Sequence, residues 1–300
     1  LCREEKNGYS GYQQLFMGDN DCNPAAMKEI IFPIRQDGLK ARAYAGTTYL
    51  VSAATIGGMP YASTGDPWKC MFARENLIEK FFPNKNDIPK ATVDDVLKNP
   101  SKEQVIAKDS EKGIGTADVI AKAKDDRALL YMGVGGCEEG KVRTINPGEA
   151  ITGPLNGASF VKWSNLHADG STQHDQNYSD TDFPVFRLAE IYLTRAEAKY
   201  RLGQDGLDDI LKVQDRAHRA SKATSVNEQT LIDEWCREFF MEGRRRSDLV
   251  RFGLYTGSKY LWSFKGGAEK GAGVPSYYNI YPIPDNEIKN NPNMTQNPKY

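Results

Sequence analysis

Residues 183–220 read FPVFRLAEIYLTRAEAKYRLGQDGLDDILKVQDRAHRA, and residues 230–252 read TLIDEWCREFFMEGRRRSDLVRF. The spacing predicts three amphipathic helices. In the first, Leu188, Tyr192, Ala196 and Tyr200 recur at helical spacing and share one face. Ile210, Val213, Ala217 and Ala220 do so in the second, and Leu231, Ile232, Trp235, Phe239 and Phe240 in the third. Gly203 is placed to cap the end of the first helix. Ser225 and Glu228 have capping-box spacing ahead of the third. Gly243 is expected to end that helix or to admit a neighbouring segment closely.

The first two helices, at about residues 187–220, resemble one helix-turn-helix repeat of the tetratricopeptide kind, with small alanines where the helices cross and a repeat of about 34 residues. A single repeat cannot bury its own apolar face, and such arrays need about three. No second copy is visible, so the pair is expected to pack on the rest of one domain spanning residues 1–300, or on further chain.

The chain has 39 basic and 40 acidic residues, a balance that argues against a polyanionic partner such as nucleic acid. The run Arg244–Arg246 is flanked by Glu242 and Asp248, which points the same way. Cys2, Cys22, Cys70, Cys137 and Cys236 show no CxxC spacing, which disfavours a disulfide framework or a zinc knuckle. No apolar run is long enough to span a bilayer. The opening LCREEKNGYSGY is polar and is not a signal peptide.

Along the chain, residues 8–16 read as a short helix or turn anchored by Tyr9, Tyr12, Leu15 and Phe16. EIIFPI at 29–34 reads as a buried strand ended by Pro33. Residues 41–67 are small, aromatic and glycine-rich, which is loop chemistry with exposed rings. Residues 68–82 predict an amphipathic helix with Phe72, Leu77, Phe81 and Phe82 inward. Residues 84–115 read as charged and exposed, 125–132 as a short helix or strand, 133–140 as a glycine-rich turn region, 159–164 as a strand and 166–181 as a polar surface loop.

Glu234, Glu238 and Glu242 line one helix face, with Glu190 and Glu197 on another. A di-metal carboxylate site in a helical bundle uses Glu-x-x-His pairs, and His167, His174 and His218 offer none. The many arginines instead point to ion pairs tying the helices together, in fork geometry. No metal or cofactor site is nominated, and no hydrolase, phosphate-loop or dinucleotide motif is present. A glycosidase needs two carboxylates roughly 5–9 Å apart across a sugar ring, and no local pattern picks such a pair.

Aromatic residues outside the helices carry the binding hypothesis. Tyr44, Tyr49, Tyr61, Trp68, Trp163 and Tyr178 sit in loop-like contexts. A flat ring covers the C–H face of a sugar while polar neighbours meet its hydroxyls. Tyr61 and Trp68, with Asp66 beside them, are the leading candidates. Trp163 with Asn165 follows, then Tyr178.

RLAEIYLTRAEA, EWCREFFMEGRRRSDLVRFG and the terminal YYNIYPIPDNEIKNNPNMTQNPKY resemble the SusD/RagB-like outer-membrane nutrient-binding proteins. GYQQLFMGDN, KEIIFPI and DDRALLYM extend the resemblance toward the N-terminus. Trp235 and Asp126 depart from the family's usual Arg and Pro. The resemblance implies a mostly α-helical, tetratricopeptide-like scaffold with long irregular loops and a few short strands. It implies a non-catalytic protein, lipid-anchored on the extracellular face of the outer membrane, that captures glycans or other nutrients. The implied partner is a SusC-like TonB-dependent transporter. The first residues already match the interior of such proteins, so the chain is expected to be a C-terminal portion, with Cys2 not the lipidated residue. A glycan hydrolase and a helical-repeat adaptor binding peptides are the competing readings. Turnover lost with one carboxylate would mark the first, and a grooved array of repeats the second.

Overall fold

The computed structural model describes residues 1–55, 64–68, 70–88, 117–131 and 158–300. Tyr61, Cys137 and the stretches 89–116 and 132–157 lie outside these residues. Among the described residues ten α-helices and four short strands are found. In chain order they are α1 (Gly11–Gln14), α2 (Pro24–Met27), β1 (Ile30–Ile34), α3 (Thr47–Ala54), α4 (Glu75–Ile78), α5 (Ala117–Ala123), β2 (Leu130–Tyr131), β3 (Ser159–Phe160), β4 (Phe183–Arg187), α6 (Leu188–Arg201), α7 (Leu207–Arg216), α8 (Glu228–Phe239), α9 (Arg245–Arg251) and α10 (Asp285–Asn290). The scaffold is mostly α, as expected. No helix among the described residues is long and apolar enough to cross a membrane.

The three helices of the deciding stretch form, with differences in detail. In α6 the buried positions are Ala189, Leu193, Ala196 and Glu197. The face is rotated from the expected one, and Tyr200 is exposed. Alanines let α7 approach closely, and a Cβ added at Gly206 would lie 2.6 Å from the Ala196 carbonyl oxygen. Gly203, at φ +70°, follows the α6 C-cap residue Leu202 as expected. Ile210, Val213 and Ala217 are buried, but α7 stops at Arg216 and Ala220 is exposed. The N-cap of α8 is Asn227, whose side chain accepts from the Thr230 N–H at 2.8 Å, so the capping box at Ser225 does not form.

Two apolar clusters result. One joins Leu193, Ile210, Val213, Leu231, Trp235 and Phe239 between α6, α7 and α8. The larger gathers Tyr12, Phe16, Phe81 and Tyr131 from the N-terminal half with Trp163 and Phe240 from the C-terminal half. Residues 68–82 reach it without the long helix predicted there. Only Glu75–Ile78 is helical, with Phe81 and Phe82 buried after it and Phe72 and Leu77 half-buried.

Between the clusters lies a buried ionic network. Glu238 of α8 accepts from Arg187 at 2.5 Å, from Arg127 at 3.0 Å and from Arg216. Arg127 also reaches Glu234 at 2.6 Å, and Arg216 reaches Glu29 at 2.8 Å. All these side chains are fully buried. Burial opposes ionisation of Glu234, but Arg127 and Arg237 outweigh it and hold the carboxyl down at about 2. The expected ion pairs therefore exist, and they join β4, α7, α8 and the segments before β1 and β2.

β1 pairs antiparallel with β4, placing Pro33 opposite Pro184. The sequence suggested a buried strand, yet Ile31, Phe32, Ile34 and Phe186 are exposed. Pro33 lies within the strand, tolerated because a two-stranded ribbon has only edges. The four described thiols, Cys2, Cys22, Cys70 and Cys236, are free.

Candidate functional site

Exposed and half-buried aromatics of three separate segments meet on one surface. Tyr44 lies on the loop before α3, Tyr49 on α3, Trp68 on the segment 64–68 and Tyr178 on the loop 165–182. The Tyr44 and Tyr178 ring centroids are 4.8 Å apart, Tyr44 and Trp68 6.1 Å, and Tyr49 and Trp68 5.8 Å. The rings are mutually tilted by 38–57°, so together they form a curved rather than flat platform. Tyr44 is 57% and Tyr49 42% exposed, and Trp68 and Tyr178 are half-buried.

Polar groups line the platform. The Trp68 indole N–H donates to Asp66 at 2.9 Å. The Arg42 guanidinium sits 4.8 Å from the centre of the Tyr178 ring and 3.9 Å from Asp175. A hydrogen bond with Tyr178 raises the Tyr44 phenol above its ordinary value. Rings for a sugar face and charged or amide groups for its rim are what oligosaccharide binding requires.

The platform stands on α3, which the sequence suggested as loop. Residues 47–54 are poor in polar helix formers, but their buried threonines have tertiary partners. Thr47 donates to the Thr181 carbonyl at 2.6 Å, and Thr48 accepts from the Ser179 N–H at 3.0 Å. The Trp68 N–H donates to the Ser52 carbonyl at 2.8 Å, and Gly65 N–H to the Gln176 carbonyl at 2.9 Å. Each ring-bearing segment is thus hydrogen-bonded to another.

The residues singled out by sequence divide. Trp68, Asp66 and Tyr178 belong to the platform, and Tyr61 lies outside the described residues. Trp163 does not join it: the ring is 4% exposed, stacked on Phe183 at 5.3 Å, and its N–H donates to the Met241 carbonyl. Asn165 is likewise buried, at 2%. Tyr44 and Tyr49 were visible only as members of a wider aromatic set, and Arg42 was missed. Its signal was its place beside Tyr44 in a stretch of small residues.

Two other arrangements have the outline of a site. His167 links Ser171 (2.7 Å) to Asp180 (3.0 Å), the order of a nucleophile–base–acid relay. The Ser171 N–H, however, donates to the Asp169 carboxylate at 2.8 Å, which puts a negative charge where an oxyanion would form. The relay works as a loop latch, with the His174 N–H also on Asp180 at 2.9 Å. Elsewhere a cleft of about 400 Å³ is walled by Trp235, Phe239, Leu249, Tyr260 and Trp262. Arg244 pairs there with Glu190 and Asp248, Arg245 with Ile232 and Tyr260, and Arg246 with the Tyr278 carbonyl, and the rest of the lining is chiefly apolar. Among the described residues no cluster of His, Cys, Asp and Glu suits a metal ion.

The chain is 52% identical over 296 residues to the starch-binding protein SusD of Bacteroides thetaiotaomicron, covering 97% of this chain and 52% of that protein. It therefore spans about half the length of this relative. Among solved structures, a SusD-like protein of Bacteroides fragilis superposes with a TM-score of 0.59 at 15% identity, covering 99% of this chain and 59% of the other. Surface glycan-binding protein A of Bacteroides thetaiotaomicron, in complex with laminarihexaose, gives 0.56 at 16% identity, covering 96% and 55%. These likenesses establish the shared fold. The family model of the SusD family matches residues 28–300, and the chain belongs to that family.

Proposed function

We propose that this chain forms the glycan-binding part of a cell-surface nutrient-capture protein, with Tyr44, Tyr49, Trp68 and Tyr178 as the platform and Asp66 and Arg42 as polar partners. The carrying observation is the convergence of four partly exposed rings from three segments on one curved surface. The name of the 52% identical relative makes starch-like α-glucan the first ligand to test. The protein binds and hands over without chemistry, and weak to moderate affinity suits release. In the whole protein we place a lipid anchor in the outer membrane and a SusC-like TonB-dependent transporter as the receiving partner.

Affinity electrophoresis in gels containing soluble starch tests the reading. Retardation of the chain, lost in Trp68→Ala, is the expected result. Retardation unchanged by Trp68→Ala would move the site. Release of reducing sugar from starch, abolished by replacing one carboxylate, would replace binding by hydrolysis.

A further inference from the structure

Asn165 is a polar side chain only 2% exposed. Its amide nitrogen donates to the Asp175 carbonyl at 2.9 Å and to the Tyr178 carbonyl at 3.2 Å. Its amide oxygen accepts from the Asp180 N–H at 2.7 Å. One carboxamide thus fixes three backbone groups across the far end of a loop whose near end it occupies. Within that loop the Asp175 carboxylate accepts from the N–H groups of Asn177 and Tyr178 at 2.7 and 3.2 Å. The Gln176 carbonyl in the same turn holds Gly65, on the segment that carries Trp68. The backbone at 175–178 therefore sets both the Tyr178 ring against Tyr44 and the position of residues 64–68.

We propose that Asn165 is a positioning residue for the aromatic platform, acting on ligand only through the placement of Tyr178. The inference rests on the glycan-binding reading given above. It changes the role of Asn165 from ligand contact to internal brace. Asn→Asp keeps the volume and the acceptor for Asp180, removes both donors, and sets a carboxylate oxygen against two carbonyls. A buried acceptor that loses its donor is destabilised enough to displace a surface loop.

The test is a double-mutant cycle on the 300-residue chain, with soluble starch as the probe in affinity gels and thermal melting alongside. Asn165→Asp and Tyr178→Ala are each expected to weaken retention about fivefold, and the double variant to be no weaker than Tyr178→Ala, since coupled residues do not add. A further fivefold loss in the double variant, or wild-type retention by Asn165→Asp, overturns the proposal. If Asn165→Asp does not fold, Thr48→Val carries the same cycle, because it removes the acceptor of the Ser179 N–H from the same loop. The underlying reading fails separately: wild-type protein that is not retarded, or Trp68→Ala retained like wild type, overturns the platform itself.

Discussion

The ionic network around α8 and the aromatic platform around α3 are built by opposite means. In the network, fully buried side chains from helices and strand ends pair with one another. In the platform the supports are buried, namely Thr47, Thr48, Asn165 and Asp180, while of the rings they carry Tyr44 and Tyr49 are exposed and Trp68 and Tyr178 half-buried. On the proposed reading, stability resides in one region and recognition in the other. A substitution in the network should therefore act on folding, and one in the platform on ligand.

The largest effect is expected from Glu238→Ala. It strands Arg127, Arg187 and Arg216 without a shared carboxylate, and breaking a buried pair costs about 3–5 kcal/mol. Denaturant unfolding should show that loss; a wild-type midpoint would refute the division of labour. Next comes Trp68→Ala, for which starch retention should fall about tenfold, or about 1.4 kcal/mol, with the melting temperature little changed. A matching loss of stability would show that the indole is structural.

A smaller effect ties the platform to pH. The Asp180 carboxylate hydrogen-bonded to His167, with its charge, raises the imidazole above its ordinary value despite partial burial. Asp19 and Asp169 add to the shift, and His174 shares Asp180. A raised histidine contributes stability that is full below its unfolded value near 6.5 and lost as pH rises through the folded one. Platform retention should weaken by about twofold between pH 6 and pH 8.5, and His167→Gln should flatten that profile. A profile that His167→Gln leaves unchanged would exclude the latch. Smallest is Tyr178→Phe, which keeps the ring and removes the hydroxyl bonded to Tyr44; a loss of about twofold in retention is expected, the worth of one exposed hydrogen bond. A tenfold loss would instead put that hydroxyl on the ligand.

The contrast also explains what could be read in the sequence. Helices α6–α8 announce themselves through apolar recurrence, because each buries a face against a neighbour nearby in the chain. The ion pairs of Glu234 and Glu238 followed from composition, although Arg127 and Arg216, two of their main partners, sit far away or on another helix. β4 escaped because FPVFR runs straight into α6 with no break in the pattern. α3 escaped because its helix is held by Thr47 and Thr48 through residues 179–181, and such tertiary support leaves no periodic trace. The platform was half legible. Trp68, Asp66 and Tyr178 were named from loop chemistry, whereas their meeting with Tyr44 and Tyr49 depends on hydrogen bonds across the chain. Trp163 and Asn165 misled because a polar setting in sequence became a buried one in space.

The bond from Ser179 to Thr48 joins residues 131 positions apart. A ribosome adding about 5–20 residues each second leaves Thr48 waiting about 7–26 s for that partner. A nascent chain released before Ser179 can therefore hold Tyr44, Tyr49 and Trp68 yet lack the clasp from Ser179 to Thr48, and on the proposed reading ligand capture waits for the second half of the chain.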